Sequence, residues 1–312
     1  MEKLCDFLCV SVAELPFFGS EDRSLKLNPE YLTRHYHETG TLDPALVKAF
    51  QEAVFACHRA NPRPMPWRET CDPYRILISE IMLQQTQVER VKAKYAEFLA
   101  AFPTISDLAG APLPHVLGVW QGLGYNRRAL ALKRCAVEIM ERFAGQFPAT
   151  IGELESLPGI GPYTARAVAA FAFGTAEALI ETNIRTVFIH FFFHNRDKVG
   201  DREIMPLVAA TLDRTDSRTW FYALMDYGAM LKQNHPNPGR RSAHHARQSR
   251  FEGSNRQLRS RMLRAVMEQP GITAGALAEL LGAEPEAVKR NLEAMQREGF
   301  LGKRGRGVAV KG

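Results

Sequence analysis

No cysteine stands beyond Cys135, and the five present, Cys5, Cys9, Cys57, Cys71 and Cys135, are odd in number and loosely spaced. That argues against a disulfide framework and for reduced thiols. It also leaves the rest of the chain without a thiolate for a metal cluster. Long apolar runs are missing too. None reaches the ~18 residues that a bilayer span needs, so no membrane partner is expected. Residues 1–10 carry a short apolar stretch without a basic start or a small-residue cleavage site, so a cytoplasmic protein without a secretory leader is expected. Strand-like alternation is absent before residue 300. The body should therefore be all-α.

What is there is uneven charge on a chain long enough for two domains. The 312 residues are 46% hydrophobic, enough for a sizeable core. Residues 231–312 hold 16 Lys and Arg against 7 Asp and Glu, while residues 1–230 hold 24 against 27. A basic tail on a nearly neutral body suits a polyanion such as nucleic acid; a plain solvated surface is the alternative. Arginines crowd positions 240, 241, 247, 250, 256, 259, 261 and 264 against the single acid Glu252.

Punctuation by Gly, Pro and Asp divides the chain further. Residues 1–43 read as an extension that wraps or dangles. Residues 44–238 form the helical body, with apolar residues recurring at 3–4 spacing in Leu46, Val47, Phe50, Val54 and Phe55. One helix is predicted from about Pro73 to Lys92, and others over 93–102, 114–120, 125–144, 162–174, 183–194, 203–213 and 217–231. Residues 239–255 are an Arg-rich linker. Residues 256–312 carry three helical patterns, then a basic hairpin from Leu301 to Val310 turning at Gly305. That combination suggests a winged helix, with a small helical bundle for protein contact as the alternative.

Three features could carry chemistry. In Leu157-Pro158-Gly159-Ile160-Gly161, two glycines flank an apolar residue between two helices. Glycine permits tight turning and close approach of a ligand. Pro162 suits the first turn of the next helix, whose free N–H groups form a phosphate site. Glu80 lies in a helix that is apolar almost all round, from Ile76 to Leu83. Burial raises a carboxyl pKa, as a general acid requires; a structural Glu paired with a buried Arg reads equally well. Glu181 follows Ala178-Leu179-Ile180 and opens a helix, where an anion is favoured and should stay ionised. Helix capping alone explains it as well. Together the two carboxylates fit an acid and a stabiliser of developing positive charge.

These elements resemble the helix-hairpin-helix DNA glycosylase superfamily, most closely the MutY-type adenine glycosylases and their thymine-mismatch relatives. The resemblance spans roughly residues 45–232. It rests on Pro66-Trp67-Arg68, on Pro73 through Glu80 to Val88, on Trp120-Gln121-Gly122-Leu123-Gly124-Tyr125, on the hairpin continuing into Tyr163-Thr164-Ala165, and on Leu224 to Met230. It implies a two-lobed helical glycosylase fold and a base-excision enzyme that hydrolyses the N-glycosidic bond of a base flipped out of duplex DNA. By resemblance Glu80 is the general acid, and Tyr163 and Asn183 support the catalytic carboxylate. Gln85 wedges into the base stack, Trp67, Arg68 and Leu83 line the base pocket, and Gly159 and Gly161 meet the DNA backbone. Tyr163 stands where related lyases carry a nucleophilic Lys, which implies a monofunctional enzyme.

The sequence departs from the family in three ways. Glu181 replaces its catalytic Asp, lengthening the side chain by a methylene. The four cysteines of its iron–sulfur cluster should follow Met230, and none is there. His235, His244 and His245 lack zinc spacing, so no metal or cluster is expected and a monovalent cation at the hairpin is the one cofactor left open. Arg240, Arg241, Arg247 and Arg250 are expected to grip phosphates instead. Residues 256–312 are too short for the family's larger domain that reads oxidised guanine. The expected protein is thus a monomeric, cluster-free glycosylase acting on mispaired or damaged adenine in double-stranded DNA. A mismatch thymine or uracil glycosylase and a non-catalytic DNA-structure-binding protein are the alternatives.

Overall fold

The computed structural model describes residues 28–245 and 250–312. In chain order its helices are α1 (Pro29–Thr39), α2 (Pro44–Ala60), α3 (Pro73–Leu83), α4 (Val88–Ala101), α5 (Ile105–Gly110), α6 (Leu113–Trp120), α7 (Arg127–Phe143) and α8 (Ile151–Glu155). Then follow α9 (Pro162–Phe173), α10 (Thr182–Phe192), α11 (Asp201–Thr211), α12 (Ser217–Asn234), α13 (Asn255–Glu268), α14 (Ala274–Leu281) and α15 (Pro285–Glu298). One antiparallel hairpin, β1 (Leu301–Arg304) and β2 (Gly307–Val310), completes the elements. The all-α body is as expected. The helix starts are written in the sequence. Asn28, Asp43 and Asp72 each accept the backbone N–H two residues on, ahead of a proline at the first helical position.

The chain forms two compact units, residues 1–65 with 169–246, and residues 66–168 with 247–312. In the first, α10 is apolar on most sides and buries Ile184, Val187, Phe188, Ile189, Phe191 and Phe192. Phe50 of α2 meets the rings of Phe188, Phe191 and Phe192 at 5.4–5.7 Å. The extension expected over residues 1–43 is corrected in its second half. Residues 29–39 are a helix, and Thr33 Oγ1 donates to the Phe191 carbonyl at 3.2 Å while Tyr36 lies edge-on to Phe192 and Phe193. Residues 1–27 lie outside the described residues.

In the second unit α3 is buried along nearly its whole length. Phe98 packs its ring against Phe102 and Trp120. The single helix predicted from Pro73 to Lys92 is instead two, broken over residues 84–87 where Gln85 takes a left-handed φ of 56°. Hydrophobic periodicity runs straight through this break, so the sequence pattern did not show it. Helices α13 to α15 and the hairpin follow the winged-helix order. Leu301 pairs with Val310 and Arg304 with Gly307, and the turn falls at Gly305 as expected. A bridge from Ile272 to Val308 ties the hairpin back to the chain between α13 and α14.

Candidate active site

In α3, Glu80 is 7% exposed, among Ile76, Leu77, Ile78, Ile81 and Met82. A carboxyl taken out of water needs hydrogen-bonding partners. Tyr163, in the first turn of α9, donates its hydroxyl to Glu80 Oε2 at 3.0 Å. The two residues are 83 positions apart, and the structure brings them together.

Beyond Glu80 the helix ends in a turn presenting exposed Gln85. A left-handed non-glycine residue costs roughly 1 kcal/mol or more. The conformation is held by Arg128, which the sequence analysis missed. Its Nη1 donates to the carbonyls of Ile81, Met82 and Gln84 at 2.6–2.9 Å. Its Nη2 donates to Thr86 Oγ1, Leu123 O and Gly124 O at 3.0–3.2 Å. The guanidinium also lies 5.4 Å from the ring centroids of Trp120 and Tyr125, and burial lowers its pKa to about 10. The available signal was an arginine three residues past the Gly124-Tyr125 block. Around this turn Leu83 and Arg68 are half-exposed, whereas Trp67 is buried with its ring edge-on to Tyr95.

The hairpin sits on α7. Leu157 and Ile160 are buried, and the Ile160 N–H closes the turn onto the Leu157 carbonyl at 3.1 Å. Gly159 has φ +78°, and a Cβ there would lie 2.5 Å from the Ala131 methyl, so both conformation and space demand glycine. Gly161 is exposed, and a Cβ there would meet nothing within 4 Å.

In the other unit Glu181 caps α10. Its Oε1 accepts the N–H groups of Asn183 and Ile184 at 2.6 and 2.8 Å, and its Oε2 faces Asn183 Nδ2 at 3.3 Å. Lys232, also missed in the sequence, donates from Nζ to Asn183 Oδ1 at 2.7 Å. It lies one turn past Gly228, where a Cβ would fall 2.2 Å from the Asn183 carbonyl oxygen. A lone basic residue following the buried Leu224, Tyr227, Gly228 and Leu231 was the signal that could have found it. The helix start is not the only influence on the ionisation expected of Glu181. Burial pushes its pKa up, against the downward pull of the two backbone N–H groups, Lys232 and Arg185.

The Arg-rich segment is also corrected in part. Arg241 is half-buried and its guanidinium is engaged by the protein. It donates to the carbonyls of Phe193, His194 and Ile189, capping the C-terminal end of α10. The backbone beside it pairs with Val199, through Val199 N to Arg241 O at 3.0 Å and Ala243 N to Val199 O at 2.9 Å. Arg240 and Arg250 are exposed, and Arg247 lies outside the described residues. Where the family's cluster cysteines would be expected, the chain supplies no thiolate, so its residues do not fit an iron–sulfur cluster. His235 packs on His190 instead, and no group of three His, Cys, Asp or Glu able to hold a metal occurs among the described residues. Arg241→Ala should lower stability by about 1–3 kcal/mol, since it leaves helix-end carbonyls unpaired. Thermal unfolding, followed by circular dichroism, measures this; an unchanged midpoint would refute the capping role.

One unit thus carries the glycine hairpin and a buried Glu–Tyr pair, and the other a carboxylate that caps a helix start. The pattern of the HhH-GPD superfamily base excision DNA repair proteins matches residues 78–212. The adenine DNA glycosylase of Mycolicibacterium smegmatis is 32% identical over 257 residues, 77% of this chain and 88% of that enzyme. The adenine DNA glycosylase of Buchnera aphidicola subsp. Baizongia pistaciae is 35% identical over 178 residues, 56% of this chain and 50% of that enzyme, so the match spans half its length. A solved thermostable thymine-DNA glycosylase superposes with a TM-score of 0.53 at 27% identity, over 59% of this chain and 86% of that one. The chain belongs to the HhH-GPD superfamily of base excision DNA repair proteins.

Proposed function

We propose that the protein is a monofunctional DNA glycosylase that removes adenine, normal or damaged, from mispaired positions in duplex DNA, and that it works as a monomer without an iron–sulfur cluster. The observation that carries this is the buried Glu80 carboxyl held by the Tyr163 hydroxyl. Pure DNA binding has no use for a carboxyl group sunk in an apolar helix. In the reaction the base is rotated out of the stack, with Gln85 filling its place. Glu80 protonates the leaving base as the glycosidic bond breaks, and the Glu181 carboxylate faces the positive charge left on the sugar. Water adds to the sugar and gives up a proton. The exposed, spatially unconstrained Gly161 suits a DNA backbone approaching the hairpin closely. The adenine target is supported by the names of the curated relatives. Mismatched thymine is the second reading, favoured by the similar solved structure.

Duplexes carrying single mismatches and lesions, incubated with protein and then treated with alkali, test the proposal. Strand breaks should appear only after alkali, because the lyase position holds Tyr163 rather than an amine. Tight binding with no breaks on any duplex would refute the enzyme; breaks at thymine alone would favour the second reading.

The raised pKa of Glu181 makes a further prediction. The carboxylate forms only above a pKa that lies higher than the ordinary 4.5. Single-turnover excision should therefore fall as pH drops through a limb above the usual carboxylate range. Lys232→Met removes a downward pull and should move this limb to still higher pH. A limb that stays in place would refute the assignment. The stability sign is opposite: protonation favours the folded form, so Glu181's contribution is full below 4.5 and lost as pH rises through the folded-state pKa.

A further inference from the structure

A cleft of about 540 Å³ opens beside the hairpin, lined by Arg127, Arg134, Arg297, Pro158, Gly159 and Glu298 among others. We infer that it is a binding site for a DNA backbone phosphate, built jointly by the hairpin, α7 and the C-terminal three-helix segment, with Glu298 as its internal counter-charge. The inference rests on the DNA-binding reading above and adds to it a contact from outside the glycosylase body.

The geometry begins with Ala131, which the hairpin touches at Gly159. Arg127 and Arg134 lie four residues before and three after Ala131, so the three share one face of α7. Their Cα atoms therefore fall about 6 and about 4.5 Å along the axis to either side of the hairpin seat. Arg297, near the end of α15, is exposed and lines the same cleft.

Glu298 is the one acid in that lining. Its carboxylate is fully engaged: Arg127 Nε donates to Oε2 at 3.0 Å, Arg127 Nη2 to Oε1 at 2.5 Å, and Arg259 Nη2 to Oε2 at 2.5 Å. Arg134 donates to the Glu298 carbonyl at 2.8 Å, which is an uncharged acceptor. Neither Arg134 nor Arg297 has a carboxylate partner among the described residues. The close approach is tight, for a Cβ at Gly299 would lie 2.3 Å from Arg134 Nη2. Arg256 adds a second tie, donating to the Tyr125 hydroxyl at 2.5 Å.

Two guanidiniums thus hold one carboxylate, and two more, those of Arg134 and Arg297, line the cleft without one. The carboxylate fixes the C-terminal segment against α7, and the surplus positive charge faces the open cleft. A polyanionic backbone passing over the hairpin presents successive phosphates to Arg134 and Arg297 on the two walls, each able to form charge-assisted hydrogen bonds.

The test measures duplex affinity of the full chain against salt concentration, for wild type and Arg297→Gln. Arg297 is exposed, so the variant should fold; a thermal melt verifies this. Loss of one phosphate contact lowers the slope of log affinity against log salt by about 0.9. Over the decade from 1 M to 0.1 M that is about an eightfold weaker affinity. The loss should be equal for matched, mismatched and lesion-bearing duplexes, because a phosphate contact carries no sequence information. Adding Arg134→Gln should lower the slope by about as much again. Wild-type binding with an unchanged slope in both variants would overturn the cleft alone. A wild-type protein that binds no duplex would overturn the glycosylase reading itself, which is a separate result.

Discussion

Glu80→Gln is expected to cut excision by about 10²- to 10⁴-fold while duplex affinity stays within about twofold. Glutamine keeps the volume and can still accept the Tyr163 hydrogen bond, so α3 should hold its packing. What it loses is the proton for the departing base. The assay is single-turnover excision with saturating protein, paired with a binding isotherm on the same duplex. Joint loss of binding and excision would point to a structural glutamate. Survival of excision would remove Glu80 from the acid role. Tyr163→Phe keeps the ring and deletes the donor, so a smaller loss of excision should accompany it.

Arg128→Ala is expected to cost at least about 3 kcal/mol of stability and about 10²-fold in excision. The stability loss follows from its six acceptors, including carbonyls at the end of α3 that no helical N–H can reach. The excision loss follows from Gln85, whose left-handed backbone has no other support as extensive. Arg128 is a positioning residue, and a merely structural role predicts a uniform defect. The positioning role predicts a defect larger for a paired target base than for one opposite an abasic site, where there is no partner to break from. Equal defects would reject it. Arg128→Lys should recover little, because an ammonium cannot fork across both sets of carbonyls.

The sequence disclosed local matters well. The helix starts at Asp43 and Asp72 were legible because each acts on a neighbour two residues away, whereas the same signal at Asn28 was passed over. The Gly305 turn was legible for the same reason. Glu80 stood out as a charge in an apolar helix, but its partner was visible only through family resemblance, since 83 residues separate them. Arg128 and Lys232 were passed over because most of their acceptors lie more than 40 residues away in sequence, beyond the reach of periodicity and local pattern. The helix break at Gln85 was hidden because periodicity records which face is buried, not where the backbone turns. Arg241 misled because an arginine in a basic run gives the same signal whether it meets a phosphate or a buried carbonyl. For Glu181 the helix start, which favours its charge, was legible, but the burial that opposes it is a tertiary property.

The seat of the hairpin on α7 makes Gly159 and Ala131 a genetic pair. The distance between the hairpin and α7 is set by one methyl group, so enlarging either partner lifts the hairpin off its support. Gly159→Ala should be partly rescued by Ala131→Gly, which clears the collision but leaves the left-handed backbone, worth roughly 1 kcal/mol, uncorrected. Ala131→Val should reproduce the Gly159 defect with the hairpin's own sequence unchanged. A helix residue outside the hairpin would then govern how high the enzyme rides on DNA.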